Sequence, residues 1–198
     1  MQYSTFAAID IGSYDVILEI FEISKKQGIR SVDKICHRME LGKDTYTLGK
    51  IRPEMEEELC RVLADFVRIM EGYRVDAYRA MASSAISEAA NSLYVLGKIR
   101  QLTGLSVTVL SNSEQRFLGY KALAAMEDNF NKIIEKGTAI LDLDGGSFQI
   151  SLFDKDALVT TQNIRMGSLR IRERLAGIQS ETEHYEEMVE ELIWNEVS

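Results

Sequence analysis

The sequence predicts an α/β fold, a mixed sheet with helices on its faces, begun twice in one chain. Two observations predict it. Strand–turn–strand segments of the same kind open at Asp10 and at Asp142, each with an aspartate at the strand end and a glycine–serine turn. Between them, strand-like and helix-like stretches alternate. Repetition at this scale points to domain duplication.

Residues 5–23 read as two strands meeting at Gly12-Ser13, with Val16, Leu18 and Ile20 at every other position of the second, as in a half-buried strand. A third strand covers residues 29–39. Residues 41–50, polar with two glycines, read as a loop. Pro53 opens a helix at its first turn, and Glu54, Glu56, Glu57 and Glu58 lie near the positive end of its dipole. Met55, Leu59, Leu63, Phe66, Val67 and Met70 form its apolar face. Strands at 76–81 and 106–110 enclose helical stretches at 85–91 and 92–102, and a long helix starts after Ser111 and runs to about Met126. Three strands, helix, strand, helix, strand, helix is the order of a ribonuclease-H-like domain.

The pattern then restarts. In a second hairpin, residues 138–153, Asp142 corresponds to Asp10, Ser147 to Ser13, and Ile150 and Leu152 to Val16 and Leu18, with a turn two residues longer. A strand at 158–164, a short helix after Met166-Gly167 and a last helix from Thr182 follow. The expected division is a complete first lobe, 1–127, and the start of a second, 128–198, which stops before the later strands of the first copy. A piece of a longer protein and a shortened protein both fit that pattern.

A net charge of −8 disfavours non-specific nucleic-acid or membrane binding, although solubility alone accounts for it. No apolar run approaches the roughly 20 residues that span a bilayer, and Asp10 and Asp15 interrupt the first apolar stretch, so a cytoplasmic protein is expected. Cys36 and Cys60 sit in apolar patterns and are expected to be buried, reduced thiols. His37 and His184 are isolated. The acidic run 181–191 reads as the solvated face of the last helix. Its apolar face, Tyr185, Met188, Val189, Leu192 and Ile193, suits core packing, with pairing to a second subunit in a homodimer as the alternative.

An Asp-x-Gly-Ser turn between strands suits phosphate chemistry. Glycine lets the backbone approach an anion, successive N–H groups form a nest, and the serine adds a donor. The aspartate can hold Mg²⁺ or a bound water that offsets phosphate charge. One such turn commonly just ends a hairpin; two on matching strands favour function.

Five segments carry a family resemblance. They are Ala8-Ile-Asp-Ile-Gly-Ser13, Ala82-Ser-Ser-Ala-Ile-Ser-Glu-Ala-Ala-Asn91, Val109-Leu-Ser-Asn-Ser-Glu114, Leu141-Asp-Leu-Asp-Gly-Gly-Ser147 and Met166-Gly-Ser-Leu-Arg170. In order and spacing the chain resembles the N-terminal part of the exopolyphosphatase / guanosine pentaphosphate phosphohydrolase (Ppx/GppA) family, of the actin–hexokinase–Hsp70 fold group. The resemblance implies water attack on a terminal phosphoryl group of polyphosphate or a guanosine polyphosphate bound between two lobes. Gly12, Ser13, Asp144, Gly145, Gly146 and Ser147 would bind phosphate, and Asp10 and Asp142 would hold Mg²⁺ or another divalent cation.

The chain departs from the family at the chemistry. The glutamate that serves as base is Gln115, and a carboxamide cannot accept a proton near neutral pH. Glu114 remains, but a helical neighbour points about 100° away. The phosphate-contacting arginine is Ser87, the glutamate ending the second loop is Gln149, its first glycine is Asp144, and Tyr14-Asp15 replaces Asn-Ser. Each added charge about 6 Å from a phosphate is worth on the order of 2–3 kcal/mol at an effective dielectric near 20. The expectation is reduced or lost hydrolysis, with a non-catalytic phosphate or nucleotide sensor as the alternative. An ATP-dependent kinase finds no support in these residues.

Overall fold

Strand β1 (Ser4–Ile11) buries Thr5, Ala7, Ile9 and Ile11 and turns Asp10 to the other face, the period of two that a strand imposes. In the computed structural model, which describes residues 3–127, 129–176 and 184–197, this strand is the centre of a five-stranded sheet. Strands β2 (Asp15–Ser24), β3 (Gly28–Arg38), β4 (Ala77–Ala82) and β5 (Val107–Val109) complete it in the order β3-β2-β1-β4-β5. The β1–β2 and β2–β3 pairs are antiparallel, whereas β4 runs parallel to both β1 and β5. The mixed sheet follows the expected order.

Helix α1 (Leu41–Leu48) occupies the stretch expected to be a loop. Its buried face includes two polar residues, so the apolar pattern under-reports it. Asp44 is fully enclosed and accepts from the Arg52 backbone N–H (2.9 Å) and its Nε, while Thr45 Oγ1 donates to the Ala85 carbonyl at 2.7 Å. Gly49 in the left-handed region ends the helix.

Helix α2 (Pro53–Gly72) has the proline at its start and buries Leu59, Cys60, Val62, Leu63, Phe66 and Met70. The helix expected at 85–91 is a single turn, α3 (Ser84–Ser87), followed by α4 (Ser92–Thr103). Ile9, Ile11, Val16, Leu18 and Ile20 of the sheet join Leu59, Leu63 and Phe66 of α2 and Val95 and Ile99 of α4 in one core. Burial of each such side chain is worth about 1.5–3 kcal/mol.

Asn91 ties this core to the chain before α2. Its Oδ1 accepts from Ile51 N at 3.0 Å, and its Nδ2 donates to the Ile51 carbonyl and to the buried Glu56, both at 2.8 Å. Asn91→Ala leaves these groups unpaired and is expected to cost about 2–3 kcal/mol, read as a lower denaturant midpoint. Cys60 is buried as expected. Cys36 is exposed, because β3 is an edge strand with one open face.

The chain divides into two units, Met1–Leu110 and Ser111–Ser198, so α5 (Asn112–Met126) groups with the second. A short α6 (Phe130–Ile134), absent from the sequence reading, precedes an antiparallel sheet of β6 (Thr138–Leu143), β7 (Phe148–Asp154) and β8 (Ala157–Ile164), in that order. Tyr120 of α5 packs edge-on against Phe153, with centroids 5.2 Å apart, and hydrogen-bonds Ser151. Helices α7 (Ser168–Leu175) and α8 (Tyr185–Val197) follow. Thr182, the expected start of α8, and Glu181 lie outside the described residues. Tyr185, Met188, Val189 and Leu192 are half-buried and Ile193 is exposed. No helix among the described residues is long and apolar enough to cross a membrane.

Strand register corrects the repeat. Ile11 pairs with Val16 and Leu143 with Phe148, so each hairpin encloses four residues and the turns are equal in length. Gly12 therefore corresponds to Asp144, Ser13 to Gly145, Asp15 to Ser147, and Leu18 to Ile150. Matching serine to serine displaced the alignment by two.

Candidate functional site

Each unit carries one hairpin turn, and each turn is held from behind by the helix after its third strand. In the first unit Met39 N and Glu40 N donate to the Tyr14 carbonyl at 3.0 and 2.9 Å, and Gly42 N donates to the Ser13 carbonyl at 2.8 Å. In the second, Ser168 N donates to the Asp144 carbonyl at 2.9 Å and Leu169 N to the Gly145 carbonyl at 3.1 Å. Arg170 Nε adds a bond to the Gly146 carbonyl at 2.6 Å. Carbonyls thus point at the supporting helix, an arrangement that turns loop N–H groups the other way.

The first turn is closed by Gly12 N donating to Asp15 O at 3.0 Å, and a Cβ on Gly12 would lie 2.9 Å from that oxygen. Ser13 is buried. Its hydroxyl lies 2.6 Å from the Tyr46 hydroxyl of α1 and 3.2 Å from that of Ser84 in α3, and the latter two are 2.8 Å apart. Tyr46 and Ser84 were missed by the sequence reading. The repeat itself could have found α1, since a helix after Met166-Gly167 calls for one beginning near Leu41-Gly42. Asp10 stands exposed one residue before the end of β1. Ser87, where the resemblance implies an arginine, is exposed and reaches the Ser84 carbonyl at 3.5 Å.

The second turn closes through Asp144 N donating to Ser147 O at 3.0 Å. The Asp144 side chain folds back over it. Its Oδ1 accepts from Gly146 N at 2.6 Å and Ser147 N at 2.7 Å, and its Oδ2 accepts from Gln115 Nε2 of α5 at 3.3 Å. Gln149 is buried, with its Oε1 3.4 Å from the Asn163 amide, which lies equally far from Ser147 Oγ. Asp142 is reached by solvent, yet the groups crowded around it, and then the Asp144 carboxylate, raise its pKa above the usual range.

Glu114 is committed elsewhere. With Ser111 it forms a capping box at the start of α5, its Oε2 accepting from Ser111 N at 2.8 Å and Ser111 Oγ at 2.7 Å. Those bonds, the backbone one first, lower its pKa and make it a weaker base. Among the described residues no group of three or more His, Cys, Asp or Glu is arranged to hold a metal ion.

Among curated relatives, a bifunctional 3-dehydroquinate synthase/phosphatase of Fusobacterium nucleatum is 22% identical over 174 residues, 85% of this chain and 26% of that one. Exopolyphosphatase 1 of Mycobacterium leprae is 26% identical over 144 residues, 72% of this chain and 41% of that protein. The fold is that of an Aquifex aeolicus Ppx/GppA family member, with a TM-score of 0.70 at 24% identity over 87% of this chain and 54% of that structure. The chain thus spans about half the length of that solved relative, and less of the curated ones. The fold extends at a TM-score of 0.51 to the ethanolamine utilization protein EutJ of Carboxydothermus hydrogenoformans. The model of the Ppx/GppA phosphatase family matches residues 19–198, a range that begins after the first turn. Matched over most of its length, the chain belongs to the Ppx/GppA phosphatase family.

Proposed function

We propose that the chain binds a phosphate-containing ligand and that its hydrolysis of phosphoanhydrides is reduced or lost. The observation that carries this reading is that the Gln115 amide, which the resemblance puts at the base position, donates to the Asp144 carboxylate. A group fixed as a donor to an anion does not take a proton from water. Ser87 adds to the case, since it offers no bidentate clamp for phosphate oxygens. Glu114 does not replace the base, because its carboxylate caps α5.

Ligand classes that fit are inorganic polyphosphate, favoured by the exopolyphosphatases among the relatives, and guanosine polyphosphates. Asp10 and Asp142 each offer a carboxylate at a strand end. That fits Mg²⁺ or another divalent cation, since Mg²⁺ is commonly held by one or two carboxylates with waters and ligand phosphates. When bound, the ion would offset phosphate charge. A sensor that retains binding without turnover is the form of this reading that the Gln115–Asp144 contact favours.

Calorimetry with tripolyphosphate and Mg²⁺ tests the binding half. The wild type is expected to bind. Gly12→Ala, whose Cβ collides with the Asp15 carbonyl and shifts the first turn, is expected to bind about tenfold more weakly, a loss of roughly 1.4 kcal/mol. A wild type that is folded yet gives no binding sinks the reading.

A further inference from the structure

We propose that Asp144 is a specificity-determining residue: its carboxylate occupies the second turn's anion nest, so that a phosphoryl group reaches those N–H groups only by displacing it. This deepens the proposed phosphate-binding reading and rests on it. An anion nest works by presenting backbone N–H groups to a bound anion. Here Gly146 N and Ser147 N already meet one, at 2.6 and 2.7 Å. Those lengths are at the short end for N–H donors, as expected when the acceptor is charged.

The contact is secured on three sides. Gln115 Nε2 holds the other carboxylate oxygen at 3.3 Å. Ser168 N, Leu169 N and Arg170 Nε fix the turn's carbonyls, so its N–H groups cannot easily rotate towards another acceptor. Gly167 packs so closely that a Cβ would lie 2.4 Å from Gly145 C and Gly146 N. The first unit supplies the contrast, because the corresponding residue there is Gly12, which has no side chain to fold back. The two turns are therefore unequal. The first has no carboxylate at that position, and the second carries its own anion. The first turn takes up phosphate, and the second discriminates against a phosphoryl group at its own N–H groups.

Calorimetry on the whole chain with tripolyphosphate tests this, comparing wild type, Asp144→Gly and Asp144→Asn. Asp144→Gly is expected to bind at least about 150-fold more tightly, the scale of two hydrogen bonds to a charged group made available. Asn keeps an acceptor oxygen over the turn and is expected to gain only about threefold, a fraction of one such bond. An equal gain for Asn and Gly overturns the occupancy argument, since charge alone would then explain it. Wild-type binding that Asp144→Gly leaves unchanged overturns this proposal and spares the phosphate-binding reading. No binding by either protein overturns both. An independent readout needs no variant: during titration of the wild type, amide resonances of the first turn, residues 12–15, are expected to move while those of Gly146 and Ser147 stay in place. Movement of the second pair contradicts the proposal.

Discussion

Gln115→Glu by itself is expected to yield no more phosphate release than the wild type, whereas Gln115→Glu combined with Asp144→Gly raises release by about a hundredfold or more, the scale of a positioned general base. The reason lies in the 3.3 Å contact between Gln115 Nε2 and Asp144 Oδ2. A glutamate there faces a carboxylate instead of donating to one. Two like charges about 4 Å apart repel by on the order of 4 kcal/mol at an effective dielectric near 20. The new side chain swings away from the site or stays protonated, and neither state activates water. Removing Asp144 clears the repulsion and opens the nest in one step. The measurement is a phosphate-release assay with tripolyphosphate and Mg²⁺ on the four proteins of the cycle, and strongly non-additive rates are the expected signature. Full recovery in the single Gln115→Glu variant would show that the two substitutions are independent.

Gly167→Ala is expected to destabilise the second unit by about 3 kcal/mol or more, the upper range for overpacking. Its Cβ would fall 2.4 Å from Gly145 C and Gly146 N and 2.5 Å from the Asp144 carbonyl oxygen, all backbone atoms that cannot rotate aside. The start of α7 would have to back away from the turn, breaking the bonds from Ser168 N and Leu169 N. Hydrogen exchange separates this from a global effect: amides of β6–β8 lose protection, while those of β1, β2 and β4 keep theirs. A variant whose second sheet exchanges as slowly as the wild type would refute the close packing.

Much of the architecture was legible because its signals are local. The alternation of Val16, Leu18 and Ile20 reports a strand directly, and Pro53 with its following glutamates reports a helix start. Helix α1 was not legible from hydropathy, because its buried face rests partly on Asp44 and Thr45, whose burial depends on Arg52 and on the Ala85 carbonyl. No hydropathy pattern records such partners. The glycine–serine turns were legible as residue types, but their correspondence was not, since it follows strand register and not the spacing of serines. Asp144 stood out as a substitution. That its carboxylate turns onto its own loop depends on backbone direction, which sequence does not carry. Tyr46 likewise reaches Ser13 only because α1 exists.

Under the proposed function the chain keeps phosphate binding while hydrolysis is reduced or lost. Phosphate release from tripolyphosphate by the wild-type chain with Mg²⁺, in the buffer used for calorimetry, tests it most directly. Saturable binding is expected, with release close to the protein-free background. Saturable release at about one turnover per second or faster, within the range of ordinary enzymes, would contradict it.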